Sequence, residues 1–268
     1  MPGTNLTRDE ARTRAGVVSD VSYTIELDLT AAPSGAPTFP SVTTVTFAAE
    51  AGASTFADLI ADKIREVTLN GRTLDPETVY DGARIQLDGL AGRNELRVVA
   101  DCLYSRTGEG LHRSVDPADK ETYLYTQFEV PDARRVFTTF EQPNLKAPFT
   151  FTVSAPARWV VISNAPTPEP TPYAGENGEE LARWEFPPTE RISTYITAVV
   201  AGPYHVVTDT YEGAHGSYPL SLLCRPSLKE ALDVDDLFEV TKQGFELFES
   251  AFGTPYPFHK YDQAFVPE

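Results

Sequence analysis

The stretch VSYTIELDL, residues 21–29, decides the fold class because its side chains alternate in polarity. Tyr23, Ile25 and Leu27 are separated by polar residues, so they fall on one face of an extended chain. Similar short stretches recur at residues 41–47, 55–60, 65–70, 84–90, 94–101, 149–155, 158–164, 182–188 and 194–202. Many short strands separated by turn residues predict a mainly β protein, built as an antiparallel β-sandwich or a related open sheet.

Short sequence signals predict turns between these strands and a capped helix before the first of them. Asn70-Gly71 is typical of a two-residue β-hairpin, because both residues tolerate positive φ. Pro156-Ala157 predicts a tight turn that joins the strands on either side of it. Before the first strand, Thr7 precedes a polar stretch with acidic residues in its first turn, which predicts a capped helix.

The pattern changes after Gly202. Residues 205–213 and 218–224 predict two more strands, and Ser227 is a predicted helix cap. A long amphipathic helix follows and ends at Gly253. Its apolar residues have helical spacing and are predicted to share one face: Leu237, Val240, Phe245, Phe248 and Phe252. A boundary is therefore predicted between a β-domain, residues 1–203, and an α+β beginning of a second domain, residues 204–268.

Composition narrows the classes of partner. The chain has 268 residues and a formal net charge of −17, which argues against nucleic acid and anionic membranes as partners. No apolar run reaches the ~18 residues of a membrane span, and no signal segment is evident, so a cytoplasmic location is expected. Cys102 and Cys224 are far apart and are expected to be buried free thiols.

Familiar catalytic motifs are absent from the sequence. The four histidines do not form a His-Glu-x-x-His zinc motif, and there is no Gly-x-Ser-x-Gly elbow. His205 and His215 flank the predicted hairpin and could meet in space, although two solvent-facing histidines are the simpler interpretation. The candidate pair that remains is Gln127 and Glu129, which lie two residues apart and share a face if the strand continues through both. That face is either a solvated surface or a recognition site.

Four blocks, in order, resemble the amino-terminal part of the aminopeptidase N family of zinc metallopeptidases, the gluzincins. The blocks are GEGLHR (108–113), YTQFEVPDARRVFTTFEQPNLKAPF (125–149), WVVISN (159–164) and TKQGFELFESAFGTPYPFHKYDQAFVPE (241–268). The resemblance covers nearly the whole chain. It implies a saddle-like β-domain over residues 1–203, followed by the start of a thermolysin-like catalytic domain. It also implies an enzyme that removes amino-terminal residues from peptides.

The resemblance assigns roles to the candidate pair. By analogy with the family, Glu129 helps to hold the free α-amine of the substrate and Gln127 lines the pocket for its first side chain. A carboxylate suits this role, because an ammonium group that leaves water needs an anionic partner. One departure from the family is Glu141-Gln142-Pro143, where Asp-Glu-Pro is usual. We expect this difference to be structural. If the face of Gln127 and Glu129 is only a solvated surface, Arg134 and Arg135 are expected to pair with Glu141.

The resemblance also implies that the zinc site and the catalytic residues are not in this chain. The Gly-x-Met-Glu-Asn segment, the zinc ligands and the remaining catalytic residues are expected beyond Glu268. Zinc is thus expected in the full-length enzyme, with none bound by this chain, which should be inactive alone. The expected partners are peptides with a free amino terminus and the remainder of the catalytic domain. The alternative is a free-standing β-sandwich binding module whose helix covers its own core.

Overall fold

The computed structural model describes residues 5–267. Within them, the regular elements in chain order are α1 (Arg8–Val17), β1 (Val18–Asp28), β2 (Thr38–Ala49), β3 (Thr55–Asp58), β4 (Lys63–Leu69), β5 (Arg72–Leu74), α2 (Pro76–Val79), β6 (Arg84–Leu87), β7 (Arg93–Leu103), β8 (Gly110–Val115), β9 (Thr122–Gln127), β10 (Phe149–Pro156), β11 (Val160–Ser163), β12 (Thr171–Ala174), β13 (Glu180–Glu185), β14 (Val199–Gly202), β15 (His205–Gly213), β16 (Gly216–Cys224), α3 (Val234–Phe252) and β17 (Tyr261–Phe265). Short 3-10 helices lie at Ala32–Ser34, Ala133–Arg135, Thr194–Ile196 and Pro226–Ala231. The prediction of a mainly β protein is confirmed.

The largest sheet has the strand order β12-β13-β10-β1-β2-β7-β4-β5. Its neighbours are antiparallel except β1 and β10, which run parallel with Tyr23 opposite Phe149. Parallel neighbours need a long crossover, and here the chain from β2 to β9 provides it. The predicted antiparallel fold class is confirmed, and β16 and β17 also run parallel within it.

Two smaller sheets complete the main core. One has the order β11-β14-β9-β8, and the other pairs β3 with β6. Side chains from all three sheets, such as Ile25, Ile85 and Leu124, are fully buried in one apolar cluster. The tight turn predicted at Pro156-Ala157 is confirmed, and the strands that it joins, β10 and β11, lie in different sheets.

The strongest local signals are confirmed. Asn70 and Gly71 connect β4 to β5 with φ values of 54° and 77°, as a primed hairpin turn requires. Thr7 caps α1 through a reciprocal capping box with Glu10. Cys102 and Cys224 are buried free thiols.

A separate sheet, β15-β16-β17, carries α3 on its own apolar cluster. Phe238 and Phe245 are the buried helix residues, and they pack on this sheet. Val240, Phe248 and Phe252 point away from it and are 58%, 58% and 74% exposed. The prediction that all apolar residues of the helix share one face is therefore wrong, because they divide between a sheet-facing and a solvent-facing side.

The start of this region differs from the sequence pattern in one further respect. Ser227 does not cap a helix, because the 3-10 helix begins after Arg225 without a side-chain cap. The Ser227 hydroxyl instead donates to Asp116 Oδ2 at 2.6 Å, across to the turn that follows β8. The domain boundary at residue 203 stays a prediction, although β15 begins the separate sheet at His205.

Candidate functional site

The candidate pair lies where β9 ends and a turn begins. Gln127 is the last residue of the strand, so the expectation that Glu129 also lies in the strand is wrong. Both side chains are nevertheless exposed, and Phe128 between them is only 2% exposed. The alternation of the strand thus continues for two residues past its last ladder hydrogen bonds, and it keeps the amide and the carboxylate on the outside.

Hydrogen bonds within the turn fix its shape. Gln127 Oε1 accepts a hydrogen bond from the backbone N–H of Glu129 at 2.9 Å. The carbonyl oxygen of Phe128 accepts one from the backbone N–H of Asp132 at 3.1 Å. A side-chain amide that satisfies a backbone donor two residues later substitutes for the ladder that has ended. The backbone of Glu129 is therefore held, while its carboxylate remains outside.

Phe128 fastens the turn to the core. Its ring meets Phe137 edge to face with centroids 5.9 Å apart. Phe137 is fully buried and also makes edge contacts with Tyr23, Phe149 and Phe151. Aromatic pairs of this geometry add to the free energy gained from burial alone. The candidate pair therefore flanks a residue, Phe128, that is packed into the buried core.

The neighbouring strand β8 brings the GEGLHR segment beside the pair. Gly110 is the register partner of Gln127, and His112 is opposite Tyr125 with ring centroids 4.9 Å apart. His112 Nδ1 accepts a hydrogen bond from the backbone N–H of Gly108 at 3.0 Å. Burial lowers the pKa of His112, so its neutral form is favoured at neutral pH. This histidine supports the loop before β8.

Arg135 is placed differently from the expectation. Its Nε donates to Asp132 Oδ1 at 2.6 Å, and its Nη2 lies 3.6 Å from Glu109 Oε1. Its expected ion pair with Glu141 is therefore wrong. Arg134 meets Glu141 through its backbone N–H, which donates to Glu141 Oε2 at 2.8 Å.

Glu141 lies behind the turn in a buried polar cluster. Besides Arg134, it is held by Thr194, whose hydroxyl donates to Glu141 Oε1 at 2.5 Å. Burial is the largest effect on this carboxyl and raises the pKa of Glu141 to about 7, against the hydrogen bonds that favour its charged form. Because Arg134 follows the candidate turn, Glu141 contributes to holding that turn from below.

The same cluster contains an ion pair that the sequence pattern did not reveal. Arg14 of α1 is 1% exposed, and its Nη1 donates to Asp58 Oδ2 at 2.6 Å. Gln142 Oε1 accepts from Arg14 Nε at 3.0 Å, while Gln142 Nε2 donates to the Ala11 carbonyl at 3.0 Å. Gln142 thus has the structural role expected where the chain departs from the family pattern. The burial of Arg14 could not be predicted, because the sequence of α1 is polar and has no apolar face.

The histidines do not form a metal site. His205 begins β15 opposite Cys224, whereas His215 lies in the turn at the other end of the same hairpin, so they do not meet. Across residues 5–267, no group of three or more histidine, cysteine, aspartate or glutamate side chains could hold a metal ion.

Comparison with known proteins identifies the class. Residues 92–196, which include β8, β9 and the candidate turn, match the Peptidase M1 N-terminal domain. The whole chain is 59% identical, over 270 aligned positions, to aminopeptidase N of Streptomyces lividans. It is also 33% identical over 54% of its length to aminopeptidase N of Acetobacter pasteurianus, and 32% identical over 53% to aminopeptidase Ey of Gallus gallus. The chain belongs to the aminopeptidase N family and corresponds to the amino-terminal portion of its members.

The match covers only part of each relative. The chain spans 30% of the Streptomyces lividans protein, 38% of the Acetobacter pasteurianus protein and 14% of the Gallus gallus protein. Within residues 5–267, no helix is both long and apolar enough to cross a membrane.

Proposed function

We propose that the full-length protein is a zinc-dependent aminopeptidase and that this chain recognises the free amine and first side chain of its peptide substrates. One observation carries the proposal: Gln127 and Glu129 are displayed together on an exposed, internally bonded turn within the matched region. The named relatives are aminopeptidases. An enzyme that acts only on chain ends needs a fixed anionic group to detect the terminal ammonium.

Glu129 has the properties of that anionic group. Among residues 5–267, no side chain or backbone group makes an ion pair or hydrogen bond with the Glu129 carboxylate, so its charge is available to a ligand. The α-ammonium of a peptide would supply the missing cation and would lose water on binding, which makes a charged partner valuable. The anchored Phe128 beside it limits movement of the backbone, so the free-energy cost of ordering the site is already met by folding.

Gln127 has a second role in this proposal. Its amide oxygen is used by the Glu129 N–H, which leaves the amide nitrogen on the exposed side for a substrate. A neutral amide beside the anionic group suits a pocket wall that contacts the first side chain. We therefore assign amine recognition to Glu129 and pocket lining to Gln127.

The zinc site would have to lie outside the described residues. Residues 5–267 contain no set of side chains that fits a zinc ion, whose sites in proteins use three or four nitrogen, sulfur or oxygen ligands. In this proposal the remainder of the catalytic domain supplies the ligands. The chain alone would then bind no zinc and have no activity.

The exposed side of α3 supports a further domain as partner. Val240, Phe248 and Phe252 form an apolar strip beside Pro255 and Pro257, with the two phenylalanine rings stacked at 5.9 Å. An apolar surface of this kind usually marks an interface. A free-standing module whose helix covers its own core would not leave this strip exposed, so the alternative is less favoured.

A pair of measurements tests the proposal. The full-length protein and the 268-residue chain are purified, their zinc content is determined, and both are assayed with a chromogenic aminoacyl substrate. We expect stoichiometric zinc and turnover from the full-length protein alone. Stoichiometric zinc and turnover in the isolated chain would overturn the division of roles, and an inactive full-length protein would overturn the proposed activity.

A further inference from the structure

We propose that Arg135 is a positioning residue for Glu129, because it braces the candidate turn against the loop that precedes β8. The proposal rests on the proposed function of Glu129 and deepens it. The brace consists of Arg135, the carboxylates of Asp132 and Glu109, and the backbone of Gly110. Its members come from the two segments that flank the end of β9.

Hydrogen bonds connect Arg135 to the turn itself. Arg135 Nε donates to Asp132 Oδ1 at 2.6 Å, and the Asp132 N–H donates to the Phe128 carbonyl at 3.1 Å. Phe128 lies between Gln127 and Glu129 in sequence. The guanidinium is thus two hydrogen bonds away from the backbone that carries the recognition pair.

The other side of Arg135 rests on the loop before β8. Its Nη2 lies 3.6 Å from Glu109 Oε1, and its side chain passes close over Gly110. A methyl group added at Gly110 would come within 3.1 Å of Arg135 Cβ and 3.3 Å of Cδ, and the φ of +66° would strain any side chain there. Because Gly110 is the register partner of Gln127, the arginine is packed directly on the backbone beside the candidate pair.

Asp132 and Glu109 also determine the position of the Arg135 guanidinium. Arg135 is three residues from Asp132 and six from Glu129, and a mobile guanidinium there would compete with a substrate ammonium for the Glu129 carboxylate. Arg135 forms ion pairs with Asp132 and Glu109. The brace therefore fixes the direction of the turn and holds the Arg135 guanidinium on Asp132 and Glu109.

The experiment uses the full-length protein and compares inhibition by phenylalanine amide with inhibition by 3-phenylpropanamide, which lacks the amine. The variants are Arg135→Gln, Gly110→Ala, Glu129→Gln and, as a rescue, Arg135→Lys. Arg97→Gln is the matched control, since Arg97 is 41% exposed and pairs with Glu66 in another sheet. KM and kcat for an aminoacyl substrate and the thermal midpoint are measured for each variant.

We expect Arg135→Gln and Gly110→Ala to reduce the preference for the amine by about three- to fivefold, the range for a partly exposed ion pair. The change should appear in KM with kcat kept, Arg135→Lys should recover part of it, and Arg97→Gln should change nothing. If Glu129→Gln loses the preference while Arg135→Gln and Gly110→Ala match the control, the brace is wrong and the proposed function stands. If Glu129→Gln itself keeps the preference, both are overturned.

Discussion

The side-chain oxygen of Gln127 accepts a hydrogen bond from the backbone N–H of Glu129 at 2.9 Å, so the two candidate residues form one unit. The truncation Gln127→Ala should therefore weaken amine recognition as well as alter the preference for the first side chain. In a Glu129→Gln background the loss of amine recognition should largely disappear, because contacting residues couple by ~0.5–3 kcal/mol. The altered side-chain preference should persist in that background.

A double-mutant cycle on the full-length protein measures this coupling. The readout is kcat/KM for aminoacyl substrates with several first side chains, together with inhibition by an amino-acid amide and its desamino analogue. Additive losses of amine recognition would mean that the hydrogen bond does not connect the two roles.

The Arg14–Asp58 pair gives a prediction about stability. Both side chains are almost fully buried, at 1% and 2% exposed, and the pair ties α1 to the main core. Arg14→Met should lower the free energy of unfolding by about 3–5 kcal/mol, because it leaves a buried carboxylate without its cation. Adding Asp58→Asn should recover much of this loss, since Asn can still accept from the Glu141 N–H.

Urea denaturation of the single variant Arg14→Met and of the double variant checks the prediction, with Arg12→Met as the control. Arg12 lies in the same helix and pairs only loosely with Asp9, at 3.8 Å and with both side chains exposed. A double variant as unstable as the single one would show that the lost packing of Arg14, and not the unpaired charge, sets the cost.

Glu141 predicts a pH dependence of stability. Burial raises its pKa from 4.5 to about 7, so the folded state binds this proton more tightly than the unfolded state. The stabilisation is fully present below pH 4.5 and is lost as the pH rises through about 7. The total is on the order of 3 kcal/mol from the size of the shift.

Glu141→Gln removes the titration while keeping an oxygen that accepts from the Arg134 N–H. Its amide NH2 can donate to the Thr194 hydroxyl, which reverses the direction of that hydrogen bond. The free energy of unfolding of the variant, measured at pH 5 and pH 8, should therefore fall less over this range than that of the unaltered chain. Equal pH dependence in the two proteins would place the titrating group elsewhere.

The exposed strip on α3 predicts self-association of the isolated chain. Val240, Phe248 and Phe252 remain in water in this chain, and burial of such a strip is favourable at about 25 cal/mol per Å². Sedimentation should show concentration-dependent association and a hydrophobic dye should bind. Phe248→Glu with Phe252→Glu should remove both effects.

The matched control is Tyr173→Glu, since Tyr173 is an exposed apolar residue, 42% accessible, on the edge strand β12. It should leave association unchanged. A clean monomer at high concentration with no dye binding contradicts the prediction.

The features that the sequence predicted correctly depend on neighbouring residues. Alternation in β1, the primed turn at Asn70-Gly71 and the Thr7 capping box are each determined within a few residues. The features that the sequence did not reveal depend on distant partners. The parallel pairing of Tyr23 with Phe149 joins segments more than a hundred residues apart, and no local pattern indicates it.

The candidate site likewise has features that the sequence predicted and features that it did not. Gln127 and Glu129 could be identified from their spacing and the family resemblance, and their exposure agrees with a two-residue alternation. The end of the strand at Gln127 could not, because it depends on where β8 stops pairing with β9. Arg135 was assigned to the wrong carboxylate, since any of several nearby acids could have been its partner.

The most direct test of the account is the amine preference of Glu129→Gln in the full-length protein. Inhibition constants for phenylalanine amide and 3-phenylpropanamide are measured for the unaltered protein and the variant, with thermal unfolding as the check on folding. The account predicts that the variant folds normally and loses about thirtyfold of its preference for the amine, through weaker binding of phenylalanine amide alone. Equal weakening of both inhibitors, or none, would contradict it and leave Glu129 as part of a solvated surface.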